Sequence, residues 1–162
     1  MPRFRDQFNR LIKHLLIVGG PSAGRRHFVG AELTALIKKH GGIRPIACGG
    51  LIRRVVAKCI TILLKKAADA KFGKLQWGVG RKCGSERLIH HIRSVFENQM
   101  DDDFVLVKID CRNAFNNISR RVFLEEVKKL FPWAYNWVHY CYSDWSNLRF
   151  GTDMTIRSQE GT

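Results

Sequence analysis

The sequence predicts an α+β fold. Three observations carry this. Apolar residues recur in adjacent pairs four apart over Leu51–Leu64, as on one face of a helix. Short apolar segments flank the turn-forming runs His40-Gly41-Gly42 and Gly151-Thr152-Asp153, as in hairpins. Phe104-Val105-Leu106-Val107-Lys108-Ile109 is a nearly continuous apolar run of strand length, the pattern of a strand buried on both faces.

In chain order, residues 3–18 read as a helix ending at Gly19-Gly20, and residues 19–26 as a Gly/Pro/Ser loop. Glu32–Lys39 and Ile43–Cys48 form the arms of a hairpin. Gly49-Gly50 opens the helix noted above, with Leu51, Ile52, Val55, Val56, Cys59, Ile60, Leu63 and Leu64 on one face and Arg53, Arg54, Lys58, Lys65 and Lys66 on the other. Lys71–Gly84 is glycine-rich and irregular. A helix over Ser85–Gln99 places Leu88, Ile89, Ile92, Val95 and Phe96 together, and Asp101-Asp102-Asp103 is a polar loop before the Phe104–Ile109 strand. Helices follow at Ser119–Leu130 and Trp133–Asp144, with Pro132 suited to the first turn of the second. Asn147–Arg157 closes as a hairpin.

The net charge of +14 is unevenly spread. Residues 1–99 carry 20 Lys or Arg against 5 Asp or Glu, and residues 100–162 carry 8 against 9. A basic region beside a neutral, carboxylate-bearing one fits a protein that handles a polyanion. The longest apolar runs, Leu15–Val18 and Ile60–Leu64, fall far short of the ~18 residues of a membrane span. Arg3, Asp6 and Arg10 interrupt what would be the apolar core of a signal peptide. Five scattered cysteines without a C-x-x-C pair argue against a disulfide framework or zinc site. An intracellular protein, nuclear or cytoplasmic, with no membrane partner is expected. The sequence leaves the oligomeric state open.

Asp110 is the candidate catalytic residue. An ionised carboxylate is costly to bury unless paired or bound to a cation. The end of a rigid strand is where it can emerge into a cleft, as metal-dependent nucleotidyl transfer requires. Its spacing fits equally a residue that caps the following turn.

Val107-Lys108-Ile109-Asp110-Cys111-Arg112-Asn113-Ala114-Phe115-Asn116 resembles the first catalytic motif of reverse transcriptases, particularly those of non-LTR (LINE-like) retrotransposons. The resemblance implies a partial right-hand polymerase fold, with fingers and the first part of a palm whose sheet is incomplete. It implies that Asp110 and the carbonyl of Cys111 ligate Mg²⁺ or Mn²⁺ in a two-metal site. Asn113 and Ala114 would present amides to the triphosphate, and Phe115 would exclude a 2′-hydroxyl by its bulk. Lys38-Lys39-His40-Gly41-Gly42-Ile43-Arg44-Pro45-Ile46 resembles the fingers hairpin, which makes Lys39 and Arg44 candidate nucleotide contacts, with Lys38 beside them. Gln76-Trp77-Gly78-Val79-Gly80 resembles the Q-x-G stretch near the template, giving Gln76, Trp77 and Gly78 as template contacts. Arg120 also fits the family pattern.

The implied partners are an RNA template, an RNA/DNA hybrid and a dNTP. The implied segments are 1–27, which match poorly, 28–103, fingers-like, and 104–162, the N-terminal part of a truncated palm. The family's second carboxylate motif, an aromatic-x-Asp-Asp, has no counterpart here, and Ser158-Gln159-Glu160-Gly161-Thr162 resembles the start of the motif before it. The expectation is a fragment of an RNA-directed DNA polymerase, inactive by itself, with the unpaired edge of its palm sheet prone to association.

Two other functions compete. One is a non-catalytic basic RNA- or DNA-binding module, with Phe72 and Trp77 among basic residues as stacking platforms. The other is a P-loop nucleotide binder at Gly19-Gly20-Pro21-Ser22-Ala23-Gly24-Arg25-Arg26, where Arg25 replaces the lysine and Arg26 the metal-ligating hydroxyl.

Overall fold

A computed structural model describes residues 3–73, 76–79, 81–99 and 105–161. The chain packs as two units: residues 1–58 with 113–162, and residues 59–112. The units are defined by packing, the fingers-like and palm-like segments by resemblance, and each unit draws on both segments.

In the first unit, an amphipathic helix α1 (Phe4–Val18) buries Ile12 and Leu15 and ends where Gly19 donates to the Leu15 carbonyl at 3.0 Å. A four-residue helix α2 (Arg25–Phe28) leads into β1 (Ala31–Ile37), which pairs antiparallel with β2 (Ile43–Gly49) across the Lys38–Gly42 turn. The predicted hairpin is therefore present, one residue longer at its base. Pro45 is accommodated because β2 lies at the sheet edge and need not donate outward.

After a short helix α3 (Ala114–Asn117), helices α4 (Arg120–Leu130) and α5 (Pro132–Tyr142) pack on each other, and α5 packs on α1. Pro132 occupies the first turn, where its missing N–H leaves no bond unmade. The core gathers on α5 through Ala134, Trp137, Tyr140 and Cys141, with Phe28 meeting the Trp137 ring edge-on at 6.3 Å. The second hairpin follows, β3 (Ser146–Phe150) with β4 (Met154–Ser158).

A four-stranded mixed sheet results, in the order β2-β1-β3-β4. Its central joint is parallel, with Ala31 opposite Leu148 and Glu32 opposite Arg149. The Glu32 and Arg149 side chains form an ion pair across that joint.

The second unit contains helix α6 (Gly84–Gln99) and the C-terminal part of α7 (Leu51–Phe72), a helix whose first eight residues belong to the first unit. The helical run continues to Phe72, one residue beyond the start of the region expected to be irregular. Within the unit, Trp77 stacks on His91 at 5.5 Å, and Arg81 lies 5.3 Å above the Trp77 ring. Arg81 also binds Asp69 at 3.1 Å and the Gly73 carbonyl at 2.6 Å. These contacts fix the glycine-rich turn on the helix that precedes it.

The expected strand Phe104–Ile109 requires correction. Val105–Cys111 carries no regular secondary structure, and Val105 and Ile109 are 77% and 83% exposed. A strand exists only through a hydrogen-bonding neighbour. The four strands of the sheet pair with one another, and among the described residues none lies beside this segment. Phe104, the Asp101-Asp102-Asp103 loop, Gly80 and Thr162 lie outside the described residues. Among the described residues, no helix is long and apolar enough to cross a membrane.

Candidate functional site

The β1–β2 hairpin, the base of α7 and the α3 turn enclose a cleft of about 740 Å³ within the first unit. Its floor is apolar: Ala31 and Leu33 from β1, Ala47 from β2 and Leu148 from β3. Its walls carry Lys38, Arg44, Arg53, Arg54 and Arg120 against the single carboxylate of Glu160. A cavity of this size has room for a small ligand, and its lining offers such a ligand one apolar face and several positive charges.

The five cations divide into two kinds. Arg53 and Arg120 are anchors. Arg53 donates to the Val29 carbonyl and, at 3.1 Å, to the Tyr142 hydroxyl, with its guanidinium 5.3 Å from the Tyr142 ring centre. Arg120 reaches the same ring at 5.6 Å and donates to the Ser158 carbonyl and hydroxyl and to the carbonyls of Asp144, Glu160 and Gly161. Burial lowers its pKa from the ordinary arginine value, opposed by Tyr142 and reinforced by the nearby charges of Arg53 and Arg25. Lys38, Arg44 and Arg54 differ. Among the described residues none of them has a carboxylate partner, and Arg44 and Lys38 stand at the exposed end of the hairpin. Their charge is free to meet a ligand.

Six of the residues that the resemblance singled out converge here: Lys38, Arg44, Asn113, Ala114, Phe115 and Arg120. Asn113 is one of two non-glycine residues at positive φ among the described residues (52°), a conformation asparagine tolerates and one that turns the chain into α3. Phe115 projects its ring into solvent, 80% exposed. Lys39 does not line the cleft, whereas Lys38 does. Lys38 is tied to Gly42 at the end of β1, by a bond from its amide to the Gly42 carbonyl at 3.0 Å, whereas Lys39 lies one residue further out, in the turn itself. Arg54 and Arg120 were legible as charge, but their roles depend on which helix face meets the sheet.

The remaining candidates lie in the second unit. Asp110 and Cys111 are exposed, on irregular chain. Gln76 accepts from the amides of Gly78 and Val79 at 2.6 and 3.3 Å, so its carbonyl oxygen closes a turn. Trp77 is half-buried between His91 and Arg81. Mg²⁺ takes about six oxygen ligands, one or two of them carboxylates and several of them waters. Among the described residues no group of three His, Cys, Asp or Glu side chains is placed to hold one. The described side chains thus do not by themselves make a metal site, and the anion chemistry of the cleft rests on its cations.

The glycine loop before β1 is packed, not open. Gly20 lies against the Tyr140 ring, and Tyr140 donates to the Pro21 carbonyl at 2.9 Å. Arg25 donates to the carbonyls of Tyr140, Asp144 and Trp145. The arginine at the lysine position of a P-loop is therefore bound into the fold.

Over 136 residues, the sequence is 29% identical to the retrotransposable element SLACS 132 kDa protein of Trypanosoma brucei gambiense. The chain is similar to a retrotransposon protein. The match covers 84% of this chain and 11% of that protein, so the chain spans about a tenth of its relative's length. No protein-family model and no solved structure matches.

Proposed function

We propose that the chain is the nucleotide-gripping portion of a retrotransposon reverse transcriptase, and that the cleft of the first unit takes the triphosphate of an incoming dNTP. One observation carries this. Arg44 from the R-P-I segment and Asn113, Ala114 and Phe115 from the K-I-D-x-x-x-A-F segment, some seventy residues apart in sequence, line one cationic cleft. Lys38, Arg44 and Arg54 supply the charge for the phosphates, the apolar floor supports the base or sugar, and Phe115 occupies the rim. Similarity to a retrotransposon protein supports the same assignment.

In this proposal Asp110 and Cys111 are metal ligands for Mg²⁺ or Mn²⁺ in the parent polymerase. Gln76, Trp77 and Gly78 lie along the template RNA or the RNA/DNA hybrid. Because the charge of the cleft comes from Lys38, Arg44 and Arg54, the nucleotide affinity of this chain should persist in EDTA.

Titration with a fluorescent dATP analogue tests the proposal. Charge-assisted contacts to phosphate contribute about 1.5–3 kcal/mol each, so Arg44→Glu and Lys38→Glu should each weaken binding by about tenfold or more. Arg121→Glu, on the exposed face of α4 and paired with Glu125, should leave it unchanged. Equal affinity in all four proteins, or none in the wild type, would overturn the assignment.

The overall charge keeps a second function in view, a basic nucleic-acid module. It would show affinity for RNA that falls steeply with salt and is indifferent to dATP.

A further inference from the structure

We propose that the strap Ser158–Gly161, latched by Arg120, sets the position of Phe115 and so determines whether the cleft tells deoxyribose from ribose. The inference rests on the nucleotide assignment above and adds to it the residues that control selectivity.

Phe115 has an exposed ring, so side-chain packing does little to hold it. It sits on α3, a single turn with no side-chain cap. Gly161 lies directly on the backbone of that turn. A Cβ at Gly161 would stand 2.7 Å from the Phe115 carbonyl oxygen, the Asn116 Cα and the Asn116 carbonyl oxygen, closer than real contacts come. Gly161 also has φ +71°, and its amide donates to the Ile118 carbonyl at 3.1 Å, just past the end of α3. The strap therefore presses on the backbone that carries Phe115, and only glycine fits where it does so.

Arg120 holds the strap in place. Its Nε donates to the Gly161 carbonyl at 3.0 Å, Nη1 to the Ser158 carbonyl at 3.0 Å, and Nη2 to the Ser158 hydroxyl at 2.8 Å and the Glu160 carbonyl at 3.3 Å. Nη1 makes a further bond to the Asp144 carbonyl at 3.1 Å. A guanidinium has five N–H donors in a fixed fork. With all three nitrogens engaged by the fold, Arg120 acts as a latch and not as a phosphate contact, unlike Arg44. Lysine keeps the charge but presents its donors from one point, so it cannot reproduce the fork.

The readout is the ratio of dissociation constants for ATP and dATP, because a role in stability alone would not move a ratio. The wild type should prefer dATP by about tenfold, a difference of about 1.4 kcal/mol. Phe115→Ala should bring the ratio close to one. Arg120→Lys and Gly161→Ala should do the same without altering Phe115 itself. Ser158→Ala, which removes one acceptor and perturbs the fold least, should give an intermediate ratio; each variant is first checked for a cooperative melt. Wild type that binds neither nucleotide would sink the nucleotide assignment and this inference with it. Wild type that discriminates through Phe115, while Ser158→Ala and any folded Arg120→Lys or Gly161→Ala keep the full ratio, would overturn the strap alone.

Discussion

The two units divide the labour unequally. The first carries 18 Lys or Arg against 7 Asp or Glu, a surplus of 11, and the second 10 against 7, a surplus of 3. In the first unit, buried aromatics on α5 and arginines bonded to backbone carbonyls fix a cleft whose remaining cations have no carboxylate partner among the described residues. In the second, Ile62, Leu63, Ile89, Val105, Val107 and Ile109 face solvent. The residues proposed to meet the triphosphate fall in the first unit, and Asp110 and the Gln76–Gly78 turn in the second. A motif contiguous in sequence, Asp110 to Phe115, is thus cut by the packing boundary at 112/113. Sequence continuity and shared support are different properties.

The largest expected effect tests whether the units are separable. Trp137 is 2% exposed, against Phe28 and Tyr140. Trp137→Ala should lose about 3–5 kcal/mol. Hydrogen exchange should show protection lost in β1, α4 and α5 and retained in α6. Equal loss in α6 would mean that the two units unfold as one.

The converse substitution is Gly84→Ala. A Cβ at Gly84 would overlap the Trp77 carbonyl oxygen, which is backbone and cannot swing aside. Overpacking of this kind costs about 1–3 kcal/mol. Protection should fall over residues 85–99 and hold in the first unit. Unchanged exchange in α6 would show that the Trp77 turn contributes nothing to its stability.

What was legible in the sequence follows the same division. Helices α1, α4, α5 and α6 and both hairpins lie within a few residues of their predicted bounds, because each is set by local periodicity, a capping glycine or proline, or a turn. The parallel pairing of β1 with β3 was not legible, since it joins residues more than a hundred positions apart and has no local signal. The short helices α2 and α3 are too brief to show a period. Phe104–Ile109 misled because apolar content marks a segment suited to a strand without supplying its neighbour. At the site, Arg44 and Asn113–Phe115 came from motif resemblance. The exchange of Lys38 for Lys39 depends on where the turn begins, and the latch of Arg120 on side-chain direction; spacing encodes neither.

The cysteines extend the comparison to pH. Burial pushes the Cys141 thiol up from 9.0 to about 11, while Cys83 and Cys111 in the second unit are exposed. The folded state binds this proton more tightly than the unfolded state does. The contribution is therefore complete below pH 9 and is lost as pH rises towards 11. The first unit should lose about 1–2 kcal/mol over that window, and Cys141→Ser should flatten the decline. Iodoacetamide at pH 8 should label Cys83 and Cys111 and spare Cys141. Fast labelling of Cys141 would contradict its burial.

The smallest effect concerns the two non-glycine residues at positive φ among the described residues, one in each unit. Cys83 (φ 53°) accepts from the Arg87 amide at 2.9 Å at the start of α6, but its exposed side chain gains no packing, and in this conformation a Cβ crowds the following carbonyl. The strain is about 1–2 kcal/mol for an ordinary residue. Glycine removes it but loosens the unfolded chain by roughly 0.4–1 kcal/mol. Cys83→Gly should therefore stabilise the second unit by about 0.5–1 kcal/mol. Asn113 (φ 52°) adopts the same conformation at little strain, since asparagine visits it readily, so Asn113→Gly should change the first unit by less than about 0.5 kcal/mol. Paired denaturant melts read both. Gains of equal size would mean that Asn113 is as strained as Cys83. Its left-handed turn would then be held against its own preference by the cleft it opens, the pattern expected where backbone strain serves a binding site.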